Sequence, residues 1–237
     1  SSAKFTFVEK AYIPNTSYFL VIAEELIPLI EKYFSASVPQ FTLVNNLRFD
    51  TPCTTSTYDE IHITCMDTSW CQIAFQLSHE FCHLMIGRPV VNNLRWFEES
   101  IAEVSSLFFM SKLANIWEST GILGNPNYAE SLRIYIQNRI DSVPDNIDLS
   151  DLFHESNLWN ILSSNPYNRT LNRQIAKKMY PVINSNPTLW EIVPLLGSLS
   201  PCHSFLQSLK EWKELAGQKH HASLDLLFGC FTTDNTN

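Results

Sequence analysis

The stretch Asp67-Thr68-Ser69-Trp70-Cys71-Gln72-Ile73-Ala74-Phe75-Gln76-Leu77-Ser78-His79-Glu80-Phe81-Cys82-His83-Leu84-Met85-Ile86-Gly87-Arg88-Pro89 decides how the rest of the chain is read. It opens on three residues of the kinds that cap a helix N-terminus and closes on a Gly-Arg-Pro stop signal. Between them Ile73, Ala74, Phe75, Leu77, Phe81, Leu84 and Met85 leave only Gln72, Gln76, His79, Glu80 and His83 as a polar stripe. A helix this apolar is predicted to be buried, and buried polar groups need partners. His79 and His83 are four residues apart, so they stand one turn above each other on one face. Their ring nitrogens can meet one ion at ~2.0–2.1 Å. Glu80 sits at the edge of that face, where it can reach a water on the metal without being a ligand. Such a carboxylate can take the water's proton as the water attacks a carbonyl.

A third ligand follows in Trp96-Phe97-Glu98-Glu99-Ser100-Ile101-Ala102-Glu103. A short stop-and-turn joins the two helices, which predicts an antiparallel pair with a carboxylate turned back toward the histidines. Phe97, Ile101, Val104 and Phe108 make the apolar face of the second helix, while Glu99 and Glu103 share another face with Ser106. Glu98 falls on neither, so Glu99 is the expected ligand. Glu103, one turn on, suits an acceptor for an imidazole N–H.

This pattern, His79-Glu80-x-x-His83 followed by a helix-borne glutamate, resembles the gluzincin clan of zinc metallopeptidases, which includes thermolysin and aminopeptidase N. Trp96-x-x-Glu99-x-x-Ala102 looks like the third-ligand motif of the aminopeptidase N type, and Glu99-x-x-x-Glu103 like the corresponding pair of thermolysin-like enzymes. The likeness covers roughly residues 40 to 112. It implies Zn2+ as cofactor, a peptide or protein as substrate, and hydrolysis by zinc-activated water with Glu80 as general base. It also implies a residue that hydrogen-bonds the developing oxyanion, for which Tyr167, in Asn165-Pro166-Tyr167-Asn168-Arg169, is the candidate. The strand Glu60–Met66 resembles the edge strand along which these enzymes lay an extended substrate. The glycine-rich motif by which aminopeptidases bind a free amino terminus does not precede it, so an endopeptidase is expected. The alternative is a catalytically inactive zincin-like domain serving as a binding or regulatory module.

Around this centre the first half reads strand (Lys4–Ile13), helix (Tyr18–Phe34), strand (Gln40–Asn46), a Thr- and Pro-rich loop (Phe49–Thr57), strand (Glu60–Met66) and the two helices just described. Phe19, Ile22, Leu26, Leu29, Ile30 and Phe34 form one apolar stripe on the first helix. The second half reads as helices at Tyr128–Ile140, Ser156–Leu162, Thr170–Ile183, Thr188–Leu196, His203–Leu215 and Ser223–Phe228. The expected fold is α+β and zincin-like. A small mixed sheet backs the metal-binding helix within 1–122, and a helical half, 123–237, forms the other wall of a cleft.

Composition excludes other classes. With 45% apolar residues among 237 and only 17% charged, disorder and coiled coils do not fit. A net charge of −8 without a Lys/Arg run argues against nucleic acid as a partner. No stretch approaches the ~20 apolar residues that span a bilayer. A soluble setting is expected, the cytoplasm favoured over secretion. The six cysteines contain no C-x-x-C pair and are expected as buried free thiols. Of the other histidines, His62 is expected to alternate outward from its strand, at the surface or in the cleft, His154 to be structural, His203 to begin a helix, and His220-His221 to be solvated.

Overall fold

The computed structural model describes residues 5–9, 17–46, 50–66, 68–121, 127–153 and 157–232. By its internal contacts the chain divides into two units, Ser1–Arg88 with Ser105–Asp141, and Pro89–Val104 with Ser142–Asn237. One helix, Arg95–Thr120, contributes to both.

The first unit is α+β. Its elements are β1 (Phe5–Glu9), α1 (Ser17–Phe34), β2 (Phe41–Asn45), β3 (Cys53–Thr54), β4 (Glu60–Ile63) and α2 (Trp70–Ile86), then α3 (Arg95–Thr120) from Ser105 onward and α4 (Asn127–Asp141). The sheet is mixed, as expected, with strand order β1-β2-β4-β3. β1, β2 and β4 run parallel, with Phe5 opposite Phe41 and Leu43 opposite Ile61, and β3 runs antiparallel to β4. The anticipated stripe on α1 is buried along its length, and α1 packs against α2, which also lies on β3 and β4.

Two expectations about Glu60–Met66 are overturned. It is not an edge strand: β4 is bonded to β2 on one side and β3 on the other, and the N–H of Thr64 is taken by Gln76 Oε1 at 2.8 Å. Nor does His62 face outward. Ile61, His62 and Ile63 are all buried, because an inner strand covered on both faces has no solvent side. His62 Nε2 lies 2.9 Å from Glu60 Oε2. The sheet's terminal strand on this side is β3, two residues inside the stretch read as a loop.

α2 begins at Trp70 and ends where the sequence stops it. Gly87 takes a left-handed conformation, φ 66°, and its N–H returns to the His83 carbonyl at 3.0 Å. Asp67, counted above among the helix-start residues, lies outside the described residues. Along α3 the buried hydroxyls of Ser105 and Ser106 donate to the carbonyls of Ser78 (2.7 Å) and Phe75 (2.9 Å) on α2. Serine is small enough to let two helix backbones approach this closely.

Among its described residues the second unit contains helices and no strand. It contains the 3₁₀ turn Asn92–Leu94, the first turns of α3, a 3₁₀ segment Leu149–Phe153, α5 (Asn157–Ser164), α6 (Arg169–Ser185), a long 3₁₀ run Pro187–Ser198, α7 (Phe205–Ala216), the 3₁₀ turn Gln218–His220 and α8 (His221–Gly229). The segment expected as the helix Thr188–Leu196 is the 3₁₀ run, which contains Pro194; proline in an α-helix removes one bond and clashes with the preceding turn. The core is aromatic. Trp96 lies 5.0 Å from Phe205 and 6.3 Å from Trp159 between ring centroids, and Phe97 lies 5.8 Å from Trp212 and 6.1 Å from Phe231. His220 is buried beside Glu191 rather than solvated, whereas His203 is exposed just before the Ser204 cap of α7. His154 lies outside the described residues. Among the described residues, no helix is long and apolar enough to cross a membrane.

Candidate metal centre

The helical spacing of His79 and His83 brings their rings to 5.1 Å between centroids on one face of α2. With the carboxylate of Glu99 on α3 they form a group in which the three ligand atoms all lie within 4.8 Å of one another. Two ligands each ~2.0–2.2 Å from a tetrahedral zinc stand about 3.3–3.6 Å apart. Small rotations of the side chains close the group onto one ion. Two imidazoles and a carboxylate are also a donor set that suits zinc and leaves a fourth position for water or substrate. The residues present therefore fit the metal.

Glu80, between the histidines in sequence, is 2% exposed. Its surroundings were not legible beforehand. The Thr54 hydroxyl, on β3, lies 2.9 Å from Glu80 Oε2 and 3.1 Å from the Glu80 carbonyl oxygen. Cys53, next to it, is exposed as a residue but has a partly desolvated sulfur, which pushes its thiol up first, and the negative charge of Glu80 does so second. The Thr54 contact places the Glu80 carboxylate against β3.

Glu103 and Tyr167 each meet an arginine. Glu103 Oε1 lies 3.3 Å from Arg173 Nε on α6, an ion pair in which Glu103 is the more buried partner. Tyr167 is 60% exposed in the turn between α5 and α6, and its hydroxyl accepts from Arg95 Nη1 at 3.4 Å. Arg95 precedes Glu99 by one helical turn and so shares its face of α3. Glu98 is buried, at 7% exposure, while Glu99 is half-buried.

Trp96, three residues before Glu99, is fully buried, and its ring N–H donates to the Asn93 carbonyl at 2.9 Å. The Asn93 side chain donates in turn to the Cys202 carbonyl at 2.6 Å. The first turn of α3 is thus tied to the second unit's core. All six cysteines are free; Cys65, Cys82 and Cys202 are buried as expected, Cys71 and Cys230 half so, and Cys53 is exposed. Sequence reasoning missed Thr54, Cys53, Arg95 and Arg173. Arg95 alone carried a signal, its four-residue spacing from Glu99. Comparison with protein-family models, with curated proteins and with solved structures gave no significant match.

Proposed function

We propose that this protein is a zinc-dependent metallopeptidase of the zincin-like type, acting as an endopeptidase. The observation that carries the reading is the convergence of His79, His83 and Glu99 to within 4.8 Å, with a buried glutamate beside the first histidine. Bound there, zinc would supply a Lewis acid for the scissile carbonyl and lower the pKa of a water toward ~7. His79, His83 and Glu99 would hold the ion. Glu80 accepts the proton of the attacking water and returns it to the departing amine. Tyr167, if turned inward, donates to the oxygen on which negative charge develops.

The endopeptidase mode is supported by β3. Thr55 N–H bonds the Glu60 carbonyl at 3.0 Å, so the alternation of an antiparallel pair turns the N–H and C=O of Thr54 away from β4. An extended peptide can pair with that side of a terminal strand by its backbone, which requires no free end. The acids that could otherwise capture an amino terminus are engaged locally: Asp59 accepts from Thr57 and Thr55, and Glu60 lies against His62.

The test pairs metal analysis with hydrolysis. Chain purified without chelator should carry close to one zinc and cut a peptide at internal bonds whether or not its amino terminus is blocked. Glu80→Gln should keep the zinc and lose the cutting. Zinc bound with no hydrolysis of any peptide by the unaltered chain would favour a catalytically silent binding module. Release of single residues from unblocked peptides alone would replace the endopeptidase with an aminopeptidase.

A further inference from the structure

We propose that Thr54 is a positioning residue for Glu80, so that the orientation of the catalytic base is set in part from the sheet. The inference rests on the peptidase reading and adds a part to it. A glutamate has three side-chain torsions, and its place on α2 fixes only where the side chain starts. Two features fix where it ends. Thr54 Oγ1 lies 2.9 Å from Oε2 and 3.1 Å from the same residue's main-chain oxygen. One hydroxyl proton serves both acceptors, and an ionised carboxylate is the stronger of the two. The hydroxyl thereby spans the two ends of Glu80 and limits how far the carboxylate can swing about its stem.

Thr54 is itself held. It stands opposite Ile61 in the β3–β4 pair, and the next residue closes the ladder through its bond to Glu60. Ile61 is fully buried in the sheet, so the threonine is paired with a fixed inner strand. A β-branched residue adds stiffness, since its side-chain rotamer is restricted.

The experiment compares Thr54→Val with Thr54→Ser in the full zinc-loaded chain, on internally quenched peptides blocked at both ends. Valine keeps the shape and strand preference and removes the hydroxyl; serine keeps the hydroxyl. Thr54→Val should lower kcat roughly 10–100-fold, the range typical of residues that orient a metal site's working groups, with KM within about twofold and one zinc still bound. Thr54→Ser should recover most of the rate. A crystal structure of Thr54→Val should show the Glu80 carboxylate turned from its present direction. If the valine variant does not fold, Thr54→Ala serves in its place.

Wild-type kcat in the valine or alanine variant would overturn the proposal, as would an equal loss in the serine variant, which would make the contact one of packing. Those results presuppose an active unaltered chain. A zinc-loaded unaltered chain that cuts nothing would instead remove the peptidase reading itself, and this inference with it.

Discussion

Trp96 offers the sharpest test of how the glutamate ligand is seated. It is fully buried, its ring centroid lies within 6.3 Å of those of Phe97, Trp159 and Phe205, and its N–H bonds the Asn93 carbonyl. A tryptophan buries roughly 150–250 Å², which at about 25 cal/mol per Å² is worth about 4–6 kcal/mol. Truncation to alanine keeps the β-carbon and gains a little helix propensity, about 0.5 kcal/mol. Trp96→Ala should therefore cost about 3–5 kcal/mol, in the range seen for buried aromatics. Trp96→Phe keeps most of the ring and gives up the hydrogen bond, about 1 kcal/mol, plus the smaller ring's lost contacts, for about 1–2 kcal/mol in all. Urea unfolding followed by circular dichroism, with zinc and with chelator, measures both variants. Because Glu99 lies one turn further along the same helix, the alanine variant should also bind zinc at least about tenfold more weakly, as when a ligand's supporting residues are lost. A loss below about 1 kcal/mol in the alanine variant, or equal losses in the two, would refute the argument that this ring anchors the ligand-bearing turn.

Glu103→Gln should weaken zinc binding or activity roughly 10-fold, and Arg173→Ala should do the same if the Arg173–Glu103 pair orients the site; competition with a chromophoric chelator measures both, and unchanged affinities would make the pair purely structural. Cys53 should require higher pH for alkylation by iodoacetamide than an ordinary thiol, and Glu80→Gln should bring the profile part of the way back, since burial is the larger cause and the charge the smaller; a profile unmoved by that change would sever the electrostatic link. Cys65, pushed up to about 12 by burial, should stay unmodified as long as the chain is folded, as peptide mass mapping would reveal. Burial first, and then the charge of Lys219, lowers the pKa of His220, against the pull of Glu191. Its neutral form is therefore favoured by folding. The contribution is intact above ~6.5 and is lost as pH falls from there through the depressed folded value. His220→Gln should flatten the decline in stability over that window, and an unaltered slope in thermal melts would discount it.

Much of this arrangement was legible because it is helical. The Gly87 stop and the four-residue spacing of His79 and His83 are local signals that α2 obeys, and the helix starts just after Ser69 although that side chain makes no capping bond. The choice of Glu99 over Glu98 followed from helix faces alone, and Glu99 is the carboxylate that converges on the histidines. What failed depends on long-range pairing. Cys53 and Thr54 are too few to display a two-residue period, so β3 was read as loop and Thr54 went unnoticed. The alternation of Ile61, His62 and Ile63 suggested one wet face, but in a strand flanked by β2 and β3 and packed against α2 all three are buried. The same kind of error put His220 in solvent, because nothing in Lys219-His220-His221 announces Glu191 beside it.

The route of the chain has a consequence for anyone who wishes to take the molecule apart. Each compact unit is assembled from two separated stretches, the second unit borrowing Pro89–Val104 from within the first. That borrowed piece holds Trp96 and Phe97, around which Phe205, Trp212 and Phe231 are gathered. No single cut can yield either unit whole: a fragment beginning at Ser142 would arrive without the two rings at the middle of its core, and the complementary fragment would carry them exposed. Two pieces made separately should be sticky and poorly folded alone and regain order when mixed.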